Sequence, residues 1–319
     1  MTSLYQKTSQ NIWKGREDGV ANERLFQVIE CVDIESQPSL QPAANKAYAI
    51  LGFACDQGVI RNQGRPGAKD GPAAIRQKLA SLPIHKPITI IDTGDIVCQA
   101  DLAMAQQQLA DRVAQVLASG YKPLIFGGGH EVAWGHFQGL AQAGQAHDIG
   151  IINFDAHFDL RPVLADGHGS SGTPFQQIAT YQQACDQAFN YLCLGIQPLA
   201  NTQSLFRAAE KLGCQYVLAE DFYLQPKSAI MAEIQRFIDA HRAIYLTVCL
   251  DVFSSAYAPG VSAPQTFGLT PQQVLFYLRM IADSGKVISM DIAEMCPIHD
   301  QDGVTAALAA QLVMEYLSL

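Results

Sequence analysis

Three side chains that could bind a metal ion follow one apolar run near the middle of the chain. The run IGIINF, at 149–154, is followed directly by Asp155, His157 and Asp159. In extended backbone, residues two apart point to the same side, so these side chains would face one way. Carboxylates this close repel each other unless a cation neutralises them. A solvated polar loop is the alternative, but three aligned ligands after a buried strand favour a divalent-cation site.

A fourth potential ligand lies in a glycine-rich segment. The sequence GGGHE, with His130 as its fourth residue, follows the apolar run at 123–127. Its glycines permit backbone angles and close approaches that other residues disfavour. The alternative is a glycine turn before a helix, whose free N–H groups would bind an anion. The segment alone does not identify a metal site, so His130 is a candidate ligand only in combination with the other donors.

Two further carboxylates follow apolar runs in the last third of the chain. Asp251 comes after the run at 243–250, and Cys249, two residues earlier, should face the same side. Glu294 follows the run at 287–292. Taken singly, each acid could equally be a helix cap or a surface group. With the other donors, Asp251 becomes a candidate ligand and Glu294 a candidate partner for a cationic substrate group.

The combined set of donors indicates which ion would bind. Carboxylates outnumber imidazoles, which favours a hard or borderline ion such as Mn²⁺ over a closed structural zinc site. Two such ions bridged by carboxylates would lower the pKa of a shared water and provide hydroxide near neutral pH. The predicted chemistry is metal-dependent hydrolysis.

The elements that position these side chains alternate between strands and helices. Short runs rich in Ile, Val and Leu, without strict alternation, are typical of strands buried on both faces of a parallel sheet. The eight predicted strands are 47–53, 88–92, 123–127, 149–154, 191–196, 215–219, 243–250 and 287–292. Helical patterns separate them and predict an α/β fold, in which ligands bind beyond the carboxyl ends of the strands. One domain spanning 1–319 is expected, with residues 1–45 as an irregular N-terminal extension.

The composition limits the possible partners and location. The chain has 319 residues, 49% of them hydrophobic, and a formal net charge of −9, so nucleic acid is a poor partner. An apolar run long enough to span a membrane and a signal peptide are both missing from the sequence, which predicts a cytoplasmic protein without a membrane partner. The eight cysteines lack CxxC spacing and are expected to be free thiols.

The motifs resemble those of a known family. The segments GGGHE, DAHFDLRP, the Asp251 segment with APGVSAP, and MDIAEMCP resemble the four signature blocks of the arginase/agmatinase (ureohydrolase) family, in the family order. The resemblance extends from about residue 45 to the C-terminus and implies a three-layer α/β/α sandwich around an eight-stranded, mostly parallel sheet. It also implies a small-molecule substrate and a homo-oligomer. The manganese ligands that it implies are His130, Asp155, His157, Asp159 and Asp251, with Asp155 bridging two ions.

Other segments resemble one branch of that family. WKGREDG at 13–19, GVIRNQGRPGAKDGP at 58–72 and SSGTPF at 170–175 are similar to the formimidoylglutamase branch. This implies hydrolysis of N-formimidoyl-L-glutamate to L-glutamate and formamide in histidine degradation, with Glu294 stabilising the cationic nitrogens. Two alternatives are another ureohydrolase, acting on agmatine, arginine or a guanidino acid, and a catalytically weak or silent relative.

Three arginines are candidate partners for the carboxylates of such a substrate. Arg61, Arg65 and Arg161 lie in or near the loops beyond the strand ends. A guanidinium group can bind a carboxylate through two parallel hydrogen bonds. Each arginine could equally form a structural ion pair.

Two positions depart from the family pattern. Cys249 stands where the family has an aspartate that bridges both metals, and a thiol suits Mn²⁺ poorly. Cys249 could be a weak ligand, or a buried small residue beside a site that holds one ion. Ser171 falls near the position of a histidine proton shuttle in arginases and is counted with the substrate-binding residues. His168, nearby in sequence, is the candidate replacement for that histidine.

Overall fold

The computed structural model describes residues 3–17, 19–37, 40–41 and 46–319. Parts of the predicted N-terminal extension therefore lie outside the described residues, as does Asp18 of the 13–19 segment. The division into one domain with an N-terminal extension stays a prediction.

A ten-stranded sheet forms the centre of the described part of the chain. Its strand order is β1-β4-β3-β5-β10-β9-β6-β7-β8, and β2 pairs with β4 beside this path. All pairings are parallel except that of β1 with β4. The strands are β1 Tyr5–Gln6, β2 Glu30–Cys31, β3 Ala47–Ala54, β4 Thr89–Val97, β5 Lys122–Phe126, β6 Ile149–Phe154, β7 Asn190–Ile196, β8 Gln215–Leu218, β9 Ala243–Cys249 and β10 Val287–Ala293.

Helices cover both faces of this sheet. They are α1 Gln57–Arg61, α2 Gly71–Ala80, α3 Leu102–Ala118, α4 Val132–Gln142, α5 Pro174–Ala184, α6 Gln203–Lys211, α7 Asp221–Leu224, α8 Lys227–Ala240, α9 Pro271–Asp283 and α10 Val304–Ser318. Among the described residues, no helix combines the length and the apolar character needed to cross a membrane.

Adjacent strand residues contribute to two separate hydrophobic cores. Ile152 packs in the core formed with α2, α8, α9 and α10, whereas Ile151 packs in the core formed with α3, α4, α5 and α6. Successive side chains of a strand point to opposite faces, so a central strand needs apolar residues throughout. This explains the continuous apolar runs and confirms the predicted three-layer α/β/α sandwich.

All eight predicted strands are present, and the N-terminal segment adds β1 and β2. Each of these strands has two residues, which is too short for an apolar pattern, so the predicted count of eight missed them. The same segment buries Trp13 and Leu25 in the core beside α2. The N-terminal segment is therefore part of the packed structure where it is described.

Candidate functional site

Four neighbouring strands end at one edge of the sheet and carry most of the predicted site. The strands β5, β10, β9 and β6 are adjacent in that order, although they are distant along the chain. His130 follows β5, Glu294 follows β10, Asp251 follows β9 and Asp155 follows β6. Because parallel strands place their carboxyl ends at the same edge, all four side chains meet there.

The candidate ligands form two groups that share Asp155. His130 Nδ1 lies 2.9 Å from Asp155 Oδ2 and 3.0 Å from Asp159 Oδ2. On the other side, His157 Nδ1 lies 3.1 Å from Asp251 Oδ2 and 3.6 Å from Asp155 Oδ1. One oxygen of Asp155 therefore belongs to each group, which is the arrangement that a carboxylate bridging two ions requires.

Unsatisfied polar atoms indicate that these groups fit a cation. Asp251 Oδ1 is buried without a hydrogen-bond partner, and His130 Nδ1, although close to two carboxylate oxygens, forms no hydrogen bond of suitable geometry. Buried polar atoms normally have a partner, so such atoms need an explanation. Carboxylate oxygens and imidazole nitrogens are ligands that Mn²⁺ accepts. A cation in the first group would satisfy His130 Nδ1, and a cation in the second would satisfy Asp251 Oδ1.

Cys249 lies in the first of these groups. In this group, one ligand atom from each of Cys249, His130 and Asp155 lies within 4.8 Å of the other two. The same holds in the second group for Asp155, His157 and Asp251. Cys249 is buried and lines the cavity described below. Its thiol therefore occupies a position from which a carboxylate could reach the same ion as His130.

The titration of these groups reflects the crowding of carboxylates. Burial lowers the pKa of His130, but Asp155 and Asp159 outweigh this effect and raise the pKa well above its usual value. Burial and the charge of Asp155 raise the pKa of Asp159 to about 6. The carboxylates therefore attract positive charge, as a proton on the imidazole or as a metal ion that competes with it.

A buried chain of hydrogen bonds holds His130 from behind. Thr247 Oγ1 lies 3.1 Å from His130 Nε2 and donates to Asp291 Oδ1 at 2.5 Å. Asp291 Oδ2 lies 2.6 Å from His136 Nδ1 and also accepts from the hydroxyl of Tyr245. Partners of this kind orient the ring of a metal-binding histidine. The sequence interpretation missed Thr247, although it lies two residues before Cys249 and so shares its side of β9.

Backbone conformation directs several of these side chains. Asp159 and Glu294 have φ values of 49° and 68°, in the left-handed region that non-glycine residues rarely adopt. Such strain is typical of functional sites. In the GGGHE segment, a Cβ on Gly128 would lie 1.7 Å from the carbonyl oxygen of Cys55. Only glycine fits there, which explains one of the three glycines before His130.

A cavity of about 320 Å³ opens above the candidate ligands. Glu294 is at its wall, with Oε1 accepting a hydrogen bond and Oε2 buried without a partner. Asn62 and Gln63 also line it, and the sequence interpretation did not single them out. The predicted residues that line the cavity are His130, His157, Asp159, Cys249, Asp251, Glu294, Arg65, Arg161 and Ser171.

Arg65 and Arg161 reach the cavity from different loops. Arg65 Nε donates to the carbonyl of Ser262 at 2.9 Å, which anchors its guanidinium group. The backbone N–H of Arg161 donates to the carbonyl of Gly172 at 2.9 Å, and its exposed side chain passes so close to Gly172 that a Cβ there would lie 2.8 Å from Arg161 Cδ. Two cationic groups therefore stand at the cavity.

Arg61 and His168 lie elsewhere, contrary to the prediction from their position in sequence. Arg61 Nη2 lies 2.7 Å from a carboxylate oxygen of Asp166, and its Nε donates to the carbonyl of Gly169 at 2.9 Å. His168 is exposed and lines a separate hollow with Arg61. Ser171 lines the cavity above the candidate ligands and His168 does not, so nearness in sequence does not bring His168 to the site.

Comparisons with known proteins agree with this fold. The Arginase family model matches residues 46–318. The formimidoylglutamase of Legionella pneumophila subsp. pneumophila is 45% identical over 316 residues, which cover 99% of this chain and 98% of that protein. The crystal structure of Trypanosoma cruzi formiminoglutamase with Mn²⁺ is 25% identical, with a TM-score of 0.77 over 90% of this chain and 97% of that chain. The formimidoylglutamase structure from Bacillus subtilis shares the fold, with a TM-score of 0.80 and 22% identity over 95% of each chain.

Proposed function

The chain belongs to the arginase family, and we propose that it hydrolyses N-formimidoyl-L-glutamate to L-glutamate and formamide. The observation that carries this proposal is the meeting of His130, His157, Asp251 and Glu294 at one cavity, with the ligand atoms of Asp155 within 4.8 Å of those of the first three. Relatives at 40–45% identity over nearly the whole chain are formimidoylglutamases. The enzyme is therefore a hydrolase that acts on a linear amidine.

The cofactor is Mn²⁺. His130 and Asp159 would hold one ion, His157 and Asp251 a second, and Asp155 would bridge them, as their distances support. When bound, manganese acts as a Lewis acid that makes water a sufficient nucleophile near neutral pH. The number of ions depends on Cys249, because its thiol stands where the family has a bridging carboxylate.

Glu294 would bind the formimidoyl group. Its Oε1 is fixed by the backbone N–H of His130 at 2.9 Å, while its buried Oε2 lacks a partner. The formimidoyl group is a planar cation with N–H donors, so a fixed carboxylate can both orient and stabilise it. Water then adds to the formimidoyl carbon, the bond from this carbon to the glutamate nitrogen breaks, and that nitrogen leaves with a proton as the amine of L-glutamate.

Arg65 and Arg161 would bind the two carboxylates of the glutamate part. Both line the cavity, and guanidinium groups suit carboxylates because they can donate two parallel hydrogen bonds. Arg161 is the stronger candidate because Arg65 already donates to the carbonyl groups of Ser262 and Val261. Ser171, which is buried at the cavity wall, would contact the substrate between them.

We also expect a homo-oligomer in the cytoplasm, by resemblance to the family. Light scattering on the purified protein measures the mass of the assembly, and a monomer would contradict this expectation.

The negative net charge of the chain is compatible with a small anionic substrate only if arginines near the site offset it. The placement of Arg65 and Arg161 supplies that local charge.

A substrate panel tests the proposed function. The purified protein, supplied with Mn²⁺, is incubated with formimidoylglutamate, arginine, agmatine and a guanidino acid, while formamide, glutamate and urea are measured. We expect formamide and glutamate in equal amounts from the first substrate. Urea from any of the others would instead support a different ureohydrolase activity. Absence of turnover together with negligible bound manganese, quantified in the same sample, would support a catalytically silent relative.

A further inference from the structure

Two cysteines stand side by side at the ends of neighbouring strands. Cys55 directly follows β3 and Cys98 directly follows β4. The last paired residues are Ala54 and Val97, and the backbone N–H of Cys98 donates to the carbonyl of Ala54 at 3.1 Å. This hydrogen bond belongs to the last bridge of the parallel ladder, so the two cysteines directly follow the same pair of residues.

This placement matches the geometry of a disulfide. Neighbouring strands are about 4.8 Å apart, within the range of about 4.4–6.8 Å that separates the Cα atoms of bridged cysteines. Both residues are free cysteines, and both side chains pack in the same hydrophobic core, where each thiol shifts the pKa of the other. A covalent bond between them would therefore need little movement of the backbone.

The two thiols differ in their surroundings. Cys55 is buried, whereas Cys98 is half-buried. The neighbouring Cys55 thiol lowers the pKa of Cys98, and it is the thiolate that reacts with oxidants. An accessible thiol next to a buried partner is the arrangement of redox-sensitive cysteine pairs.

We propose that Cys55 and Cys98 form a redox-active pair that hydrogen peroxide converts to a disulfide. The Cys98 thiolate attacks one peroxide oxygen, the O–O bond breaks, and hydroxide leaves and takes up a proton to form water. The Cys55 sulfur then attacks the sulfur of the resulting sulfenic acid, and the S–O bond breaks. Hydroxide leaves with the proton of the Cys55 thiol, so two thiols and one peroxide yield one disulfide and two waters.

The pair is linked mechanically to the metal-binding loop. The carbonyl of Cys55 accepts the backbone N–H of Gly129 at 3.0 Å, and Gly128 packs against the same carbonyl. Both glycines immediately precede His130. Even the small movement of Cys55 that closes the disulfide would pass through these contacts to the loop that positions His130, so we expect oxidation to lower turnover several-fold.

Peptide mapping of the full-length protein tests the pairing directly and independently of the substrate. The reduced protein is treated with a small excess of hydrogen peroxide, the remaining thiols are alkylated, and the digest is analysed by mass spectrometry. We expect one cross-linked peptide pair that contains Cys55 and Cys98, and its disappearance after treatment with dithiothreitol. If both cysteines remain free and fully alkylated after peroxide treatment, the proposal is wrong.

Matched variants separate the pair from the other thiols. Cys98→Ser should abolish the cross-link, whereas Cys185→Ser, which removes an exposed thiol, should leave it unchanged. Equal thermal unfolding temperatures would show that Cys98→Ser still folds. Loss of activity on oxidation should be reversible in the parent protein and absent in Cys98→Ser. Equal and irreversible loss in both proteins would overturn the link to the metal-binding loop.

Discussion

Glu294 and His130 are joined directly, because Glu294 Oε1 accepts a hydrogen bond from the backbone N–H of His130 at 2.9 Å. The residue expected to bind the substrate cation and a residue expected to bind manganese therefore hold each other in place across two strand ends. This contact leaves only Glu294 Oε2 free for the substrate. This backbone hydrogen bond therefore contributes to the alignment of substrate and ion.

Replacing Glu294 with glutamine should show whether turnover needs the negative charge of this side chain or only its shape. Glu294→Gln keeps the side-chain volume and can still accept from His130, but it loses the negative charge that stabilises the amidinium group. We expect kcat/KM for formimidoylglutamate to fall by about 100-fold, the order of loss seen when one preorganised electrostatic partner is removed. Bound manganese should stay unchanged. The matched control is Glu210→Gln on the exposed side of α6, and equal activity of the two variants would contradict the assigned role.

Arg161 should determine binding of the substrate carboxylates. Arg161→Ala removes a cation from the cavity wall, so KM should rise by about tenfold or more, since a hydrogen bond to a charged group contributes about 1.5–3 kcal/mol. The control is Arg61→Ala, because Arg61 pairs with Asp166 outside this cavity. Steady-state kinetics on both variants check the prediction. A larger rise of KM in Arg61→Ala than in Arg161→Ala would reverse the assignment.

Cys249 should limit manganese occupancy. Cys249→Asp places a carboxylate within reach of the ion held by His130 and Asp155, and oxygen ligands suit Mn²⁺ better than a thiol. We expect more manganese per protein after loading and removal of free metal, as measured by elemental analysis. Cys249→Ser, which adds no carboxylate, is the control. Unchanged occupancy in Cys249→Asp would show that this position does not face the ion.

The sequence predicted the long strands and the strand ends because both leave local signals. Strands buried on two faces, such as β6 and β9, must be apolar throughout, and ligands at alternating positions, such as Asp155 and His157, are visible by spacing alone. Tertiary contacts leave no such signal. Arg61 and Arg161 look equivalent in the sequence, and only the pairing of Arg61 with Asp166 distinguishes them. The two-residue strands were missed because they are too short for an apolar pattern, and their pairing partner β4 is distant along the chain.

Thr247 should tune the affinity for manganese without touching the ion. Thr247→Val preserves the shape of the side chain but removes the hydroxyl between His130 and Asp291. Loss of such an orienting partner typically weakens metal binding by about 10–100-fold. Titration with Mn²⁺ measures the change, with Thr180→Val on the exposed side of α5 as the control. Affinity equal to that of the parent protein would mean that the ring of His130 is held by packing alone.

Trp13 should stabilise the fold by joining the N-terminal segment to the sheet. Its indole Nε1–H donates to Asp92 Oδ2 at 2.8 Å, and Asp92 also accepts from the buried guanidinium of Arg76 at 2.9 and 3.0 Å. Trp13→Phe keeps most of the apolar contact but removes one donor from a buried carboxylate. Because Arg76 still neutralises Asp92, we expect a loss of only about 1–2 kcal/mol in the free energy of unfolding.

Urea unfolding of Trp13→Phe measures this loss against a second tryptophan variant. Trp134 is half-buried on α4 and stacks on Phe137. Trp134→Phe therefore removes a similar ring area on a different element of the fold. Arg76→Met should be much more damaging, by about 3–5 kcal/mol, because it leaves the buried carboxylate of Asp92 without its cation. The expected order of destabilisation is therefore Arg76→Met, then Trp13→Phe. Unfolding of Trp13→Phe at the urea concentration of the parent protein would show that the N-terminal segment docks without contributing to stability.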